Sequence, residues 1–300
     1  MKQISFFILI FSFFSGLFAG EAAQKYDEKS FAALFKAVSK HYSKEELRKI
    51  VEKSIIPDEN TEKRLEFIYS PVSIKKQEEA HADLTDKMVN DETVRNGVDF
   101  FNKYNGLLCK TYSETKVEPG DVIAILNWES KLGTITGDQQ IIKIFAAQYF
   151  FGEARNEELI KNGEYKKEGA MSVEAGKKRV ERLKKNALSN MTALLIQAKE
   201  KKFDPLEVRG SWAGAIGFPQ FMPASMQFAR DGNGDGKIDL FVMEDAIVSV
   251  ANFLKLHGYS KRGRLAAFKS YNNDKVYAEG VKKYSDLVKK AVGKTDICGK

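Results

Sequence analysis

The chain has 300 residues, with 48 Lys and Arg against 41 Asp and Glu and a formal charge of +7. That length holds one large domain or two small lobes, and a basic balance suits an acidic partner. The two cysteines, Cys109 and Cys298, form no CxxC, and His41, His81 and His257 are far apart with no HExxH, which argues against a zinc site or a Cys/His nucleophile.

Lys2, an apolar run from Ile4 to Phe18, and small residues at Ala19, Gly20, Ala22 and Ala23 open the chain. This is the layout of a signal peptide over 1–19, leaving 20–300 as the mature domain. The alternative is a membrane anchor, because the run approaches the roughly 18 residues that span a bilayer. No Cys near the cleavage region offers a lipid attachment site, and no later run is long and apolar enough to cross a membrane. Export argues against nucleic acid as the acidic partner. In an oxidising compartment Cys109 and Cys298 are expected to pair, tying the tail to the body.

Beyond the leader no stretch alternates apolar and polar for long, so the fold is expected to be mainly α. Phe31–Val51 reads as helical segments broken near His41–Ser43. Glu92–Tyr104 puts Val94, Val98, Phe101 and Tyr104 on one helical stripe. Pro119–Gly133 has a turn, Asp121 as a candidate N-cap, an apolar body and a Gly stop. Asp138–Phe151 is a further apolar helix. The charged stretch 152–178, with Gly152, Gly163 and Gly169, is expected to be an exposed surface insertion, with a lid as the alternative. A long helix over Ala175–Lys202 ends at Asp204–Pro205. Then come a Gly-rich stretch, Gly210–Gly217, and a turn around Pro219 and Pro223. Glu244–Leu256 is helical with Gly258 past its end, and the last helix covers about Asp274–Val292.

Four segments carry chemistry. In DVIAILNWESKL, Val122, Ile125, Leu126 and Glu129 share the apolar stripe of a helix that is apolar almost all round. A carboxyl placed there is desolvated, its pKa rises, and it becomes a proton donor suited to glycosidic cleavage. The alternative is a helix-end Glu paired with a Lys or Arg. In GSWAGAIGFPQFMPAS, small residues permit close backbone approach. Trp212, Phe218 and Phe221 offer faces for sugar stacking there, and Ser211 and Gln220 offer hydrogen bonds. Tight helix packing would explain the same composition. DGNGDG matches the opening of a calcium loop, with Asp231, Asn233, Asp235 and Gly236 in register. Val242 stands where the usual closing Glu belongs, so Glu244 or Asp245 would close a longer loop; a plain Asx-rich turn is the alternative. SYNND, Ser270–Asp274, followed by Tyr277, places hydrogen-bonding side chains before a helix.

Taken in order, ETVRNGVDFFNKY, ILNWESKLGTITG, DPLEVRGSWAGAIGFPQFMPAS, DGNGDG with EDAIVSVANFLKLHGY, and SYNND with Tyr277 resemble the lytic murein transglycosylase B family. That family is of the glycoside hydrolase family 103 type and has a lysozyme-like helical fold with a substrate groove and an EF-hand-like loop. The likeness extends over about Phe31–Leu287. It implies that Glu129 is the single catalytic carboxylate, and that Ser211, Gln220, Tyr271, Asn272 and Tyr277 line the glycan groove. Arg182 matches a groove arginine less securely, because the stretch before it is extra. The resemblance also implies a structural Ca²⁺ held by Asp231, Asn233, Asp235, the Lys237 carbonyl and Asp245. The implied partner is the glycan strand of peptidoglycan, in the periplasm or outside the cell. The implied reaction breaks the MurNAc–GlcNAc β-1,4 bond without water and leaves 1,6-anhydro ends.

The sequence departs from the family pattern at three places. The stretch Tyr259–Tyr271 is short, 152–178 is extra, and Asp138 is a second carboxylate near the motif. They keep two alternatives open: a lysozyme-type hydrolase using Asp138 or Glu153 as its second carboxylate, and a non-catalytic wall-binding protein.

Overall fold

The computed structural model describes residues 26–56, 59–72, 84–293 and 298. The proposed leader, 1–19, lies outside them. The described residues are mainly helical: α1 (Glu28–Val38), α2 (Lys44–Ser54), α3 (Glu59–Tyr69), α4 (Leu84–Met88), α5 (Asp91–Thr115), α6 (Pro119–Ser130), α7 (Ile141–Lys161), α8 (Val173–Lys201), α9 (Met243–Leu256), α10 (Tyr259–Arg262), α11 (Arg264–Tyr271) and α12 (Lys275–Val292). Their one sheet pairs β1 (Gln139–Gln140) with β2 (Arg209–Gly210), antiparallel, Gln139 opposite Gly210. No described helix is long and apolar enough to cross a membrane.

Local chemistry sets the helix ends. The side chains of Asp27, Ser43, Ser172 and Asp274 accept first-turn backbone N–H groups of α1, α2, α8 and α12. Asn90 and Thr93 form a reciprocal capping box at α5. Tyr104, the expected end of this helix, is instead an irregular residue inside it, and the helix continues to Thr115.

Two cores result. One gathers α5, α6, α9, α11 and α12 around Val122–Leu126, with Phe268, Tyr277, Val281 and Tyr284 fully or almost fully buried. The other gathers α1, α2, α7 and α8 around Phe31, Leu34, Leu47, Phe145 and Leu195. The glycine-rich segment is the seam. Ile216 belongs to the second core and Phe221 to the first, and their backbones exchange hydrogen bonds of 2.8 and 3.1 Å. Phe221 is thus only 2% exposed, which removes it as a sugar-stacking face.

The stretch 152–178 is not a solvated loop. Residues 152–161 complete α7, 173–178 begin α8, and the short connection between them carries one 3-10 turn, Glu164–Lys166. Gly152, Asn156 and Gly176 are buried while the charges point outward, so the stretch lengthens an antiparallel helix pair. Against the first core, α6 and α12 approach closely at two points. A Cβ on Gly120 would stand 2.8 Å from Ser285 Oγ, and one on Gly280 would strike the Trp128 ring. Cys109 and Cys298 form a disulfide with Cα atoms 5.2 Å apart, as expected, joining α5 to the tail.

Candidate active site

Helix α6 is buried on all sides from Pro119 to Asn127, and Glu129 sits in its last turn. The helix closes with Lys131 (φ 48°) and Leu132 (φ 56°) in the left-handed region, Lys131 N–H bonding Asn127 O at 2.9 Å and Leu132 N–H bonding Leu126 O at 3.1 Å. Two successive non-glycine residues in that region are costly, and such strain collects at functional sites. The turn brings the chain straight to the seam.

Glu129 Oε1 accepts a 2.6 Å hydrogen bond from the Tyr277 hydroxyl. Burial pushes the Glu129 carboxyl up to about 7, and the Tyr277 bond partly opposes it. Among the described residues no second carboxylate acts on Glu129. Tyr277 is 4% exposed and meets Trp128 edge-on, which fixes its ring. Tyr271 donates to Pro219 O at 2.6 Å and packs against Phe221 and Phe253. Burial, then the negative charge of Glu129, raises both tyrosines well above the ordinary phenol, so both remain hydroxyl donors.

Gln220, at φ 51°, donates its amide nitrogen to Gly217 O at 2.8 Å and Thr136 O at 3.3 Å. It ties the turn after Glu129 to the glycine-rich segment. Ser211 Oγ accepts from Ala215 N–H at 3.2 Å, and Ser211 N–H donates to Ala215 O at 2.8 Å. Asn272 is exposed at the end of α11. Glu129, Tyr277, Tyr271 and Gln220 therefore converge on one end of the seam. Ser211 lies farther along it, and Arg182 is an exposed outlier on α8 beside Arg179. The two rival carboxylates are elsewhere engaged: exposed Asp138 accepts from Gln139 at 2.6 Å, and Glu153 is ion-paired with Lys184 at 2.8 Å.

Asp121 is not an N-cap. Glu118 takes that position, and Asp121 is 0% exposed, gripped by Arg264 through Nε at 2.8 Å and Nη2 at 2.5 Å and by the Tyr259 hydroxyl. Sequence reasoning missed Arg264 and Tyr259. An acid inside a helix that is apolar all round was itself the signal that a buried partner exists.

The Asp231 loop folds on its own amides. Asp231 accepts from Gly234 and Gly236 N–H at 2.6 and 2.8 Å, and Asp235 from Lys237 N–H at 2.7 Å. Asp245, 1% exposed in the first turn of α9, accepts from Gly232 and Asp239 N–H, both at 2.7 Å, and so closes both ends of the loop. Among the described residues no three His, Cys, Asp or Glu side chains are grouped closely enough to hold a metal ion. The donor types, carboxylate, amide and backbone oxygen, fit a hard cation such as Ca²⁺.

Three comparisons bear on this arrangement. Over 181 residues, 60% of this chain and 42% of the relative, the chain is 32% identical to the membrane-bound lytic murein transglycosylase B of Escherichia coli (strain K12). Thus the match spans about two fifths of that protein's length. The fold matches Escherichia coli lytic transglycosylase Slt35, solved in complex with calcium, at a TM-score of 0.65 and 21% identity, covering 88% of this chain and 94% of that one. It also matches the soluble lytic transglycosylase SltB1 of Pseudomonas aeruginosa at a TM-score of 0.60 and 19% identity, covering 88% and 99%. The family model described as the Transglycosylase SLT domain matches residues 22–275, and the chain belongs to that family.

Proposed function

We propose that the chain is a peptidoglycan lytic transglycosylase, cleaving the MurNAc–GlcNAc β-1,4 bond of glycan strands to give 1,6-anhydroMurNAc ends. The observation that carries this reading is Glu129: a carboxyl in the last turn of a buried helix, bonded to the Tyr277 hydroxyl at 2.6 Å and pushed by burial up to about 7. Family membership supports the reaction class.

Protonated near neutral pH, Glu129 gives its proton to the glycosidic oxygen as the bond to the anomeric carbon breaks. Positive charge develops at that carbon. The carboxylate left behind takes the proton of the MurNAc C6 hydroxyl as its oxygen closes on C1. The carboxyl is restored and no water is consumed. A pKa near working pH lets one group serve both steps, and the Tyr277 bond stabilises the ionised half of the cycle. Gln220 commits its amide nitrogen to two carbonyls, so its amide oxygen is the group left for a sugar hydroxyl. Ser211, Tyr271 and Asn272 complete the glycan-binding set, with Arg182 its outlying member.

Asp231, Asn233, Asp235, the Lys237 carbonyl and Asp245 would hold Ca²⁺, which would supply charge compensation and loop closure. The disulfide supports export to an oxidising compartment, with 1–19 as the leader. A lysozyme-type hydrolase would need a second carboxylate near Glu129, and the engagement of Asp138 and Glu153 elsewhere disfavours it.

Mass spectrometry of purified peptidoglycan after digestion tests the reading. Products with 1,6-anhydro ends are expected. Reducing ends alone would point to hydrolysis, and undiminished cleavage by Glu129→Gln would overturn both reactions.

A further inference from the structure

A cavity of about 260 Å³ opens between α3, the start of α7 and the glycine-rich segment, lined by Thr61, Lys63, Arg64, Gln139, Ile144 and Trp212. It adjoins the seam: Trp212 follows Ser211 directly, and Gln139 pairs with Gly210. Its described lining includes the Arg64 guanidinium and the Trp212 ring. The Arg64 guanidinium lies 3.6 Å from the Trp212 ring centroid, and Phe67 meets the same ring edge-on at 5.5 Å. Trp212 is still 52% exposed. It is therefore oriented by α3 while presenting the rest of its surface to solvent.

Arg64 is the unusual member. Its Nε is buried and has no hydrogen-bond partner among the described residues. Burial, then the like charge of Arg179, lowers its pKa to about 10. Arg179 in turn feels Arg182. A desolvated guanidinium with an unfilled donor favours an anion, and a planar fork already stacked on an indole loses little freedom in gripping a carboxylate.

Resting on the glycan-strand reading above, we propose that this cavity binds a carboxylate of the peptide that branches from the strand, with Arg64 as counter-ion. Trp212 and Ile144 pack against the peptide's short apolar side chains. Trp212 is then a peptide contact in place of a sugar-stacking face, because Arg64 already covers its ring.

The test compares intact peptidoglycan with the same glycan chains stripped of peptide by an amidase. Arg64→Gln is expected to lower the ratio of kcat/KM on stem-bearing over stripped chains about ten-fold, the loss of one charge-assisted hydrogen-bonded pair. Arg64→Lys keeps the charge without the fork and is expected to recover part of that ratio. If Arg64→Gln does not fold, Arg64→Lys carries the comparison with a smaller change. An unaltered ratio overturns the proposal, whether both rates fall or neither does. The same ratio is read from binding to insoluble peptidoglycan, before and after stripping, in the Glu129→Gln background. A chain that cleaves neither substrate therefore refutes the reaction, while the binding ratio still decides the cavity.

Discussion

The two ends of α6 carry one desolvated carboxyl each, on fully buried Asp121 and half-buried Glu129, and the fold treats them oppositely. Asp121, in the first turn, receives a guanidinium through two hydrogen bonds and a hydroxyl besides. Glu129, in the last turn, receives a hydroxyl and, among the described residues, no cation. The helix dipole reinforces the contrast, since it favours negative charge at the N-terminus and disfavours it at the C-terminus. A matched charge makes Asp121 an anchor between α6 and the α10–α11 region. An unmatched one leaves Glu129 with its proton near neutral pH. Burial alone does not make an acid catalytic; what decides is whether the fold supplies a counter-charge.

The largest expected effect breaks the Glu129 end. Glu129→Gln keeps the shape and removes the proton, so peptidoglycan cleavage is expected to fall by about a thousand-fold, within the range of general-acid catalysis. The same variant has a stability signature. The folded pKa, about 7, lies above the ordinary 4.5, so the contribution of Glu129 to stability is present below the unfolded value and lost as pH rises through the folded one. Glu129→Gln is therefore expected to melt higher than the parent at pH 8, with the gap closing at pH 4. A gap of equal size at both pH values would contradict a raised pKa.

The second effect breaks the other end. Asp121→Ala takes the buried carboxylate from Arg264 and leaves it the more exposed Asp286 at 2.9 Å, so the cost is at most about 3 kcal/mol, the low end for a broken buried pair. For a chain of this size that ceiling is a drop of roughly 6–12 °C in melting temperature. Asp121→Ala with Arg264→Met is expected to recover part of it. Equal melting of the single and double variants would refute an anchoring role for the pair.

A third buried carboxylate sharpens the comparison. Asp245 is answered by two backbone amides, with Asp231 and Asp235 in the loop beneath which it closes. If Ca²⁺ completes that set, calcium at ten times its Kd adds about 1.4 kcal/mol, or roughly 3–6 °C in melting temperature. Asp245→Asn is expected to abolish the response. A calcium-independent melting curve would mark the loop as an Asx-rich turn.

How much of this was legible follows the range of the interactions. The apolar stripe around Glu129 is a local pattern, so its burial could be read from Val122, Ile125 and Leu126. The same logic applied to Asp121 was displaced by its resemblance to a cap, because Arg264 is far along the chain. The stretch 152–178 read as a loop because dense charge on the exposed face masks the buried Gly152, Asn156 and Gly176. Phe218 and Phe221 stand three residues apart in the same segment, yet Phe221 is core and Phe218 half-exposed. That difference is set by the exchange between Ile216 and Phe221 across the seam, which no local pattern contains.

The smallest effect tunes Glu129 without removing it. The Tyr277 hydroxyl bonds the carboxyl and lowers its pKa against the upward push of burial. Tyr277→Phe deletes only that oxygen, so the carboxyl pKa is expected to rise, by up to about one unit for a single hydrogen bond to a charged group. The acid form drives the first step, so the alkaline limb of kcat/KM, near pH 7 in the parent, should move upward. The rate itself falls, because the ionised half of the cycle loses its donor. A Tyr277 that merely filled space would change the rate without moving the limb. A limb that moved downward would mean that Tyr277 bonds the protonated carboxyl more strongly than the carboxylate, which would reverse its part in the contrast between the two ends of α6.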